Sequence, residues 1–293
     1  MNTNQETSSS TPLSGSCRNN PILQSQMLRF HPSGKQLVFK GPFVGLSDEG
    51  RRKSPFAGQM PRVELVDEPP AVECLQNGDV RFRFYAPNAK TVAVAGLGGG
   101  FSREHQPMEL QEDGWWQTTL PGIQPGFYYH EYFVDGNRMV NPDANCGYGC
   151  FYGINFFDLT AEEDEIWMLR DVPHGDVRME TYLSSVTERT KLAWVYCPPA
   201  FDAQTESLPV LYIQHGVGEN ETGWIWQGRL NLILDNLLAA GGCERMLVVM
   251  NAGYAFKEGE DPVFYPGDFD TELVSDCIPH IERKYGARTD KWH

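Results

Sequence analysis

The sequence has few basic residues and no long apolar run. Its 293 residues include 24 Lys and Arg against 39 Asp and Glu, for a formal net charge of −15. Such a chain repels phosphate, so we expect no nucleic-acid partner. No segment approaches the roughly 20 apolar residues of a membrane helix. The opening "MNTNQETSSSTPLSGSC" lacks the basic start and apolar core of a secretory signal, so we expect neither membrane insertion nor secretion.

Cysteine is scarce and scattered. The seven cysteines are an odd number spread along a large acidic chain, which is typical of reduced thiols in a cytoplasmic protein. Cys146 and Cys150 in "NCGYGC" are four residues apart, but no second Cys/His pair lies nearby to complete a tetrahedral zinc site. We interpret them as two ordinary thiols and expect no metal.

What is present divides the chain into three parts. A hydrophobic content of 41% in a chain of this length is enough for two cores. Residues 1–61 are rich in Ser, Gly, Pro and Asn and have little periodicity. They predict a disordered or loosely docked arm, with "QLVFKGPF" as its docking segment.

Residues 62–158 have the short alternating segments of a β-sandwich. The run "VRFRFYAP" places Val80, Phe82 and Phe84 on one face of a half-buried strand. Asp135-Gly136 between two such segments is a strong signal for a two-residue hairpin. We predict an immunoglobulin-like sandwich.

Residues 166–293 change to longer apolar strands that alternate with helices. "VRMETYLSS" and "TKLAWVYCPP" indicate antiparallel opening strands, whereas "LPVLYIQHG" and "RMLVVMNAG" are the near-continuous runs of parallel strands covered on both faces. "GRLNLILDNLLAAGG" predicts a helix between them. A second helix is predicted over 269–285, where Gly286 ends it and Pro279 bends it or splits off its last turn.

The strand "LPVLYIQHG" leads directly into a glycine-rich loop. Acyl transfer from an ester needs a nucleophile, a base and hydrogen-bond donors for the oxygen that becomes negative. A sharp turn at Gly216 could leave the amide of Val217 directed into a cleft, as such a donor. A His-Gly pair after a strand is also a common simple turn in α/β proteins.

The sandwich segment resembles a known family. "VRFRFYAPNAKTVAVAG", "DGWWQTTLPGIQPGFYYHEYFVDG" and "NPDAN" resemble the early-set domain of branching enzymes, isoamylases and certain esterases. Some of these domains bind glucan through exposed tryptophans, so the resemblance implies Trp115 and Trp116 as sugar contacts. Neighbouring strand residues point to opposite faces, so at most one of the two should be exposed. The alternative is a core tryptophan beside a surface or interface tryptophan.

The last part resembles a second family. "LPVLYIQHG", "ENETGWIWQGR" and "LRDVPHGDV" resemble the carbohydrate-esterase branch of the α/β hydrolases, which includes feruloyl, acetylxylan and enterochelin esterases. The resemblance implies that the amide of Val217 forms half of an oxyanion hole and that Trp224 lines the cleft. In such a fold Tyr254, with Phe256, Phe264 and Tyr265, could line an acyl or aryl pocket. Packing under the loop for Trp224, and capping of the sheet edge for the other aromatics, are the alternatives.

The family's nucleophile is missing. It sits in a Gly-x-Ser-x-Gly elbow after the next strand, and these 293 residues contain no such motif. His130, His174, His215 and His280 lie on unrelated elements, and we expect His215 to anchor the loop rather than act as a base. The sequence thus predicts only the first half of a hydrolase sheet, truncated before the elbow and inactive alone. Its unpaired strand edge would favour pairing with another chain or a homo-oligomer.

Two functions remain open from the sequence. The first is a serine carboxyl-ester hydrolase that acts on acyl or aryl esters linked to a carbohydrate or siderophore. It would need no cofactor, because side chains and backbone dipoles suffice. The alternative is a non-catalytic glycan-binding or scaffold protein, built from a sugar-binding sandwich and an inactive hydrolase half.

Overall fold

The computed structural model describes residues 36–40, 62–66, 70–75, 77–160, 165–257, 259 and 266–288. Strands β1 (Gln36–Lys40) and β2 (Arg62–Val66) pair antiparallel in a two-stranded sheet. The "QLVFK" part of the expected docking segment is therefore a strand. The rest of the predicted arm lies outside the described residues.

The next strands form two sheets. One is four-stranded in the order β3-β4-β8-β7, and the other follows the order β11-β12-β9-β5-β6 with β10 added to β9. Their bounds are β3 Val72–Cys74, β4 Val80–Tyr85, β5 Val92–Gly96, β6 Gln106–Pro107, β7 Glu109–Leu110, β8 Trp115–Leu120, β9 Gly126–Val134, β10 Asn137–Met139, β11 Cys146–Gly149 and β12 Tyr152–Leu159.

The two sheets share one core. The inward residues of β4 predicted from the alternation are buried and pack with residues of the opposite sheet such as Val94, Tyr132 and Phe157. Arg83, which the alternation assigned to the outer face, is also buried, because its guanidinium stacks over Trp115 at 4.6 Å and pairs with Asp113 at 3.5 Å. These two sheets form a β-sandwich.

The predicted hairpin at Asp135-Gly136 is confirmed. It joins β9 to β10, and both residues have left-handed backbones, with φ of 50° and 79°. A two-residue turn with this geometry matches the twist of the paired strands, which is why Asp-Gly is favoured there.

A second four-stranded sheet follows, in the order β13-β14-β16-β15. Its strands are β13 Asp176–Leu183, β14 Thr190–Cys197, β15 Val210–Ile213 and β16 Leu247–Asn251. β13 and β14 are antiparallel, and β15 and β16 are parallel, as predicted. All five residues of β16 are buried.

Helices cover both faces of this second sheet. Helices α1 (Gly223–Trp226) and α2 (Leu230–Ala239) pack on one face through Ile225 and Leu234 against Val248 and Met250. On the other face Ile281 and Tyr285 pack against Val195, Leu247 and Val249. This covering explains the near-continuous apolar runs of the inner strands.

The helix predicted over 269–285 has an interruption in its middle. It consists of α3 (Phe269–Glu272), a π-helical turn at Leu273–Cys277 and α4 (Ile278–Tyr285). Pro279 does not split off the last turn, as we predicted, but lies at the start of α4. Proline has no N–H to donate to the preceding turn, so that turn widens before it. Gly286 ends the helix with a left-handed φ of 58°, as predicted.

Strand β15 lies at one edge of the second sheet. Among the described strands it pairs with β16 alone, and Leu211 is 46% exposed. In the part of the chain that the structure describes, no helix is long and apolar enough to cross a membrane.

Candidate active site

The loop His215–Gly218 follows the end of β15. The amide of Glu219 donates to the carbonyl oxygen of Gly216 at 3.1 Å, which closes a turn with Gly218 at φ 85°. A positive φ at the third position is typical of a type II turn and favours glycine. Val217 is 71% exposed, and its amide donates to no acceptor in the described part of the chain. The amide thus lies outside the sheet pairing, and its role as an oxyanion donor stays a prediction.

His215 anchors this loop, as expected. Its buried ring accepts the backbone N–H of Gly253 through Nε2 at 3.0 Å. The proton is therefore on Nδ1, which donates to the carbonyl oxygen of Gly216 at 2.9 Å. Both ring nitrogens are occupied, so His215 cannot act as a general base in this arrangement.

Tyr254 braces the same turn. Its hydroxyl accepts the N–H of Gly218 at 2.9 Å and donates to the carbonyl oxygen of Glu219 at 3.0 Å. We predicted Tyr254 as a substrate contact, but its hydroxyl is used to hold the loop. Phe256 stacks beside it with ring centroids 6.5 Å apart, whereas Phe264 and Tyr265 lie outside the described residues.

The sandwich holds the loop from the other side. The turn between β11 and β12 is Cys150-Phe151, and both residues have left-handed backbones, with φ of 54° and 72°. The N–H of Phe151 donates to the carbonyl oxygen of Gly218 at 2.8 Å. A turn of two non-glycine residues in this conformation is strained, at roughly 1–3 kcal/mol per residue.

A hydroxyl of the sandwich also fixes the side chain of Glu219. Tyr129 donates to Glu219 Oε1 at 2.8 Å, while Glu219 Oε2 accepts the N–H of Gly216 at 3.3 Å. Gln227 donates to Tyr129 Oη at 2.7 Å and to the carbonyl oxygen of Tyr148 at 3.0 Å. Burial, with the neighbouring Glu219, raises the pKa of Tyr129 well above its usual range. The hydroxyl therefore stays protonated and keeps donating. The sequence gave no local signal for this contact.

A cavity of about 450 Å³ lies where the sandwich meets the second sheet. The sandwich contributes Gly126, Phe127, Asp158 and Leu159, and the loop and helices after β15 contribute Glu219, Trp224, Gln227 and Arg229. Trp224 thus lines a cleft, and its indole N–H donates to the carbonyl oxygen of Gln214 at 3.1 Å.

A buried ion pair joins the two sides of the cavity. Asp158 pairs with Arg229, whose guanidinium also lies 3.8 Å from the ring centre of Trp167. Burial raises the pKa of Asp158 to about 6, although the charge of Arg229 and its hydrogen bond act to lower it. Two charged groups are therefore kept out of water at the junction.

The sandwich tryptophans lie elsewhere, and neither lines the cavity. Trp116 is 7% exposed in the sandwich core, where its indole N–H donates to the carbonyl oxygen of Ala86 at 2.9 Å. It has no face for a sugar, which corrects the prediction for Trp116. Trp115 is half-buried between Arg83 and Tyr85. The expectation that at most one of the pair is exposed is confirmed.

The remaining histidines are not assembled into a catalytic triad. His130 is fully buried among aromatic rings, and His174 Nδ1 lies 2.8 Å from Asp235. His280 lies 3.5 Å from Glu180. Within the described ranges no serine hydroxyl is hydrogen-bonded to any histidine.

Comparison with known proteins identifies both parts. Residues 70–145 match the family of carbohydrate-binding module 48, the isoamylase N-terminal domain. An endo-1,4-beta-xylanase/feruloyl esterase of Xylanibacter ruminicola is 35% identical over 225 residues, which are 74% of this chain and 31% of that protein. The chain carries a carbohydrate-binding module 48 domain and is homologous to a xylanase/feruloyl esterase.

Two further relatives agree with this assignment. A 1,4-alpha-glucan branching enzyme of Photobacterium profundum is 29% identical over 101 residues, 32% of this chain and 14% of that protein. The enterochelin esterase of Shigella flexneri has a similar fold, with a TM-score of 0.53 and 10% identity over 75% of this chain and 63% of that one. Both resemblances inferred from the sequence are confirmed. The chain spans about a third of the length of the xylanase/feruloyl esterase.

Proposed function

We propose that this chain forms the oxyanion side of a serine carboxyl-ester hydrolase that acts on acyl or aryl esters of a carbohydrate. The observation that carries the proposal is the amide of Val217, exposed on a turn braced by hydrogen bonds on both sides. The relative from Xylanibacter ruminicola, named as a xylanase/feruloyl esterase, and the module 48 domain support the substrate class.

The chemistry assigned to the loop is electrostatic. When a nucleophile attacks an ester carbonyl, its oxygen becomes negative and accepts the N–H of Val217. A donor fixed in advance needs no reorganisation during the reaction, which is why such donors lower the barrier. Tyr254, His215 and Glu219 hold the loop in place.

The nucleophile would have to come from residues outside these 293. The sequence contains no Gly-x-Ser-x-Gly motif, and we expect the 293 residues alone to hydrolyse no ester. The experiment compares this chain with the full product of its gene on methyl ferulate and on feruloylated xylo-oligosaccharides. Hydrolysis by the full product alone is expected, and a full product without activity contradicts the enzyme proposal.

Deleting one N–H tests the role of the amide. Proline at the second position of a type II turn keeps the backbone shape and removes the donor. In an active full product, V217P should lower kcat by about 10²–10³-fold, whereas V217A, which keeps the N–H, should stay near wild type. Equal kcat values for the two variants would exclude Val217 from the oxyanion hole.

A glycan-binding role without catalysis is the second candidate. The module 48 domain and the cavity at the junction favour it. An inactive full product that still binds oligosaccharide would support this candidate over the enzyme.

A further inference from the structure

The cavity at the junction has the size and the walls of a small-molecule site. Its volume of about 450 Å³ falls in the usual range of about 300–1,000 Å³ for such sites. Neither part of the chain forms it alone, because residues of β9 and β12 supply one wall and residues of the loop, α1 and α2 supply the other.

Aromatic rings from three segments line this cavity. Phe127 and Trp224 are 38% and 39% exposed, and Trp167 is the third. Edge contacts with Tyr129 at 4.9 Å position the ring of Phe127, and the hydrogen bond to Gln214 positions that of Trp224. Flat, fixed apolar faces of this kind suit the C–H faces of sugar rings.

Two lining residues have an oxygen without a donor. Asp158 Oδ2 and Gln227 Oε1 accept no hydrogen bond from the described residues, although Asp158 and Gln227 are only 4% and 6% exposed. A buried acceptor without a partner costs about 1–3 kcal/mol, so a ligand that brings donors is favoured there.

The charge of the walls limits the ligand further. The carboxylates Asp158, Glu165 and Glu219 line the cavity, against the single cation Arg229, which already pairs with Asp158. This balance disfavours an anionic ligand. Hydroxyl donors, aromatic walls and a net negative lining together describe a neutral oligosaccharide.

We propose that the cavity between the sandwich and the second sheet binds a neutral oligosaccharide, held between Phe127 and Trp224 and hydrogen-bonded to Asp158 and Gln227. The site is separate from the sandwich tryptophans, since Trp115 does not line it. That this sugar is the carbohydrate part of the ester rests on the proposed function, whereas the binding itself does not.

The test is a titration of the 293-residue chain with xylotetraose and maltotetraose, followed by calorimetry and tryptophan fluorescence. At least one of the two should bind. F127A and W224A should each weaken binding at least tenfold, and W224F should restore much of it because a flat ring remains. Tetragalacturonate, an anionic probe of the same length, should not bind. Thermal unfolding of each variant checks that it is folded.

Three results would overturn the proposal. They are binding of neither neutral tetrasaccharide, a loss of binding in W115A with wild-type affinity in F127A and W224A, and tetragalacturonate binding as tightly as the neutral sugars. V217P should leave sugar affinity within twofold of wild type. A chain that binds sugar while its full gene product hydrolyses no ester would contradict the proposed function and leave this site standing.

Discussion

His130 shows what burial does to a single ionisable residue. It lies in the sandwich core against Phe82, Tyr132 and Phe157, with 0% exposure, and burial lowers its pKa to about 3. The folded state therefore keeps this ring neutral through the mildly acidic range, whereas the unfolded chain gains its proton near pH 6.5.

This difference makes part of the stability depend on pH. Because the folded pKa is below the unfolded one, the stabilisation is present above pH 6.5 and is lost as the pH falls towards 3. At pH 5 we expect a loss of about 2 kcal/mol in the free energy of unfolding. H130Q cannot gain a proton, so its stability should fall less between pH 8 and pH 5 in urea titrations.

Asp158 acts in the opposite direction and makes the variant necessary. Its folded pKa of about 6 is above its ordinary value of 3.8, so its contribution grows as the pH falls from 6 towards 3.8. Only the difference between wild type and H130Q isolates the histidine. Equal pH slopes for the two proteins would contradict the assignment.

Tyr129 joins the sandwich to the loop through one hydroxyl. Y129F removes its donation to Glu219 and leaves the amide of Gln227 without that acceptor. We expect a loss of about 1–3 kcal/mol in the free energy of unfolding and faster hydrogen exchange at residues 216–219. The matched control is Y128F, because Tyr128 donates to Gln124 within the sandwich. Unchanged exchange at the loop in Y129F would show that the contact does not position it.

At the scale of elements, the loop and the β11–β12 hairpin constrain each other. A Cβ at Gly218 would lie 2.9 Å from the Cα of Cys150 and 3.0 Å from the amide nitrogen of Phe151, at a φ of 85°. No L-residue fits there without moving the hairpin or the loop.

G218A tests this fit. It should destabilise the chain by more than the roughly 1 kcal/mol that a left-handed alanine costs against glycine, because the contact with the hairpin is lost as well. G122A is the control, since Gly122 has a φ of 77° and nothing within 4 Å of its added Cβ. Chemical denaturation of both variants gives the comparison, and equal losses would mean that the hairpin yields freely.

Local pattern was enough to predict several elements. The β4 alternation, the Asp135-Gly136 turn and the helix ending at Gly286 each depend on neighbours in sequence, and the structure confirms them. Arg83 and Pro279 were wrong for a different reason. A ring and a carboxylate from elsewhere allow the arginine to be buried, and the helix absorbs its proline by widening one turn.

The site was predicted less completely than the fold. The loop, the anchoring role of His215 and the cleft position of Trp224 could be read from residues next to one another in the sequence. The contacts of the loop with Tyr129 and Phe151 could not, because these residues are far from Gly218 along the chain and have no motif of their own.

At the scale of the whole molecule, the edge strand β15 predicts self-association. Among the described strands it has one neighbour, so its other edge presents backbone N–H and C=O groups, next to the exposed side chain of Leu211. Such an edge is a template for pairing with another chain. We expect the 293-residue chain to associate in a concentration-dependent way in sedimentation velocity experiments.

A charge on this strand should weaken the association. L211K places a lysine on the exposed face, as natural edge strands often do, and should raise the concentration at which oligomers form. V274K, on the exposed π-helical turn, is the matched surface control. A wild-type chain that stays monomeric at all concentrations would contradict an accessible edge.

The strained Cys150-Phe151 turn has a consequence for how the molecule can be divided. A fragment that starts after the linker would keep the second sheet but lose the N–H that holds Gly218 and the hydroxyl that holds Glu219. Exchanging the carbohydrate-binding domain for another would have the same effect unless the newcomer supplied both donors. In this protein the sugar-recognition domain is thus part of the framework of the catalytic half, and the two are inherited as one unit.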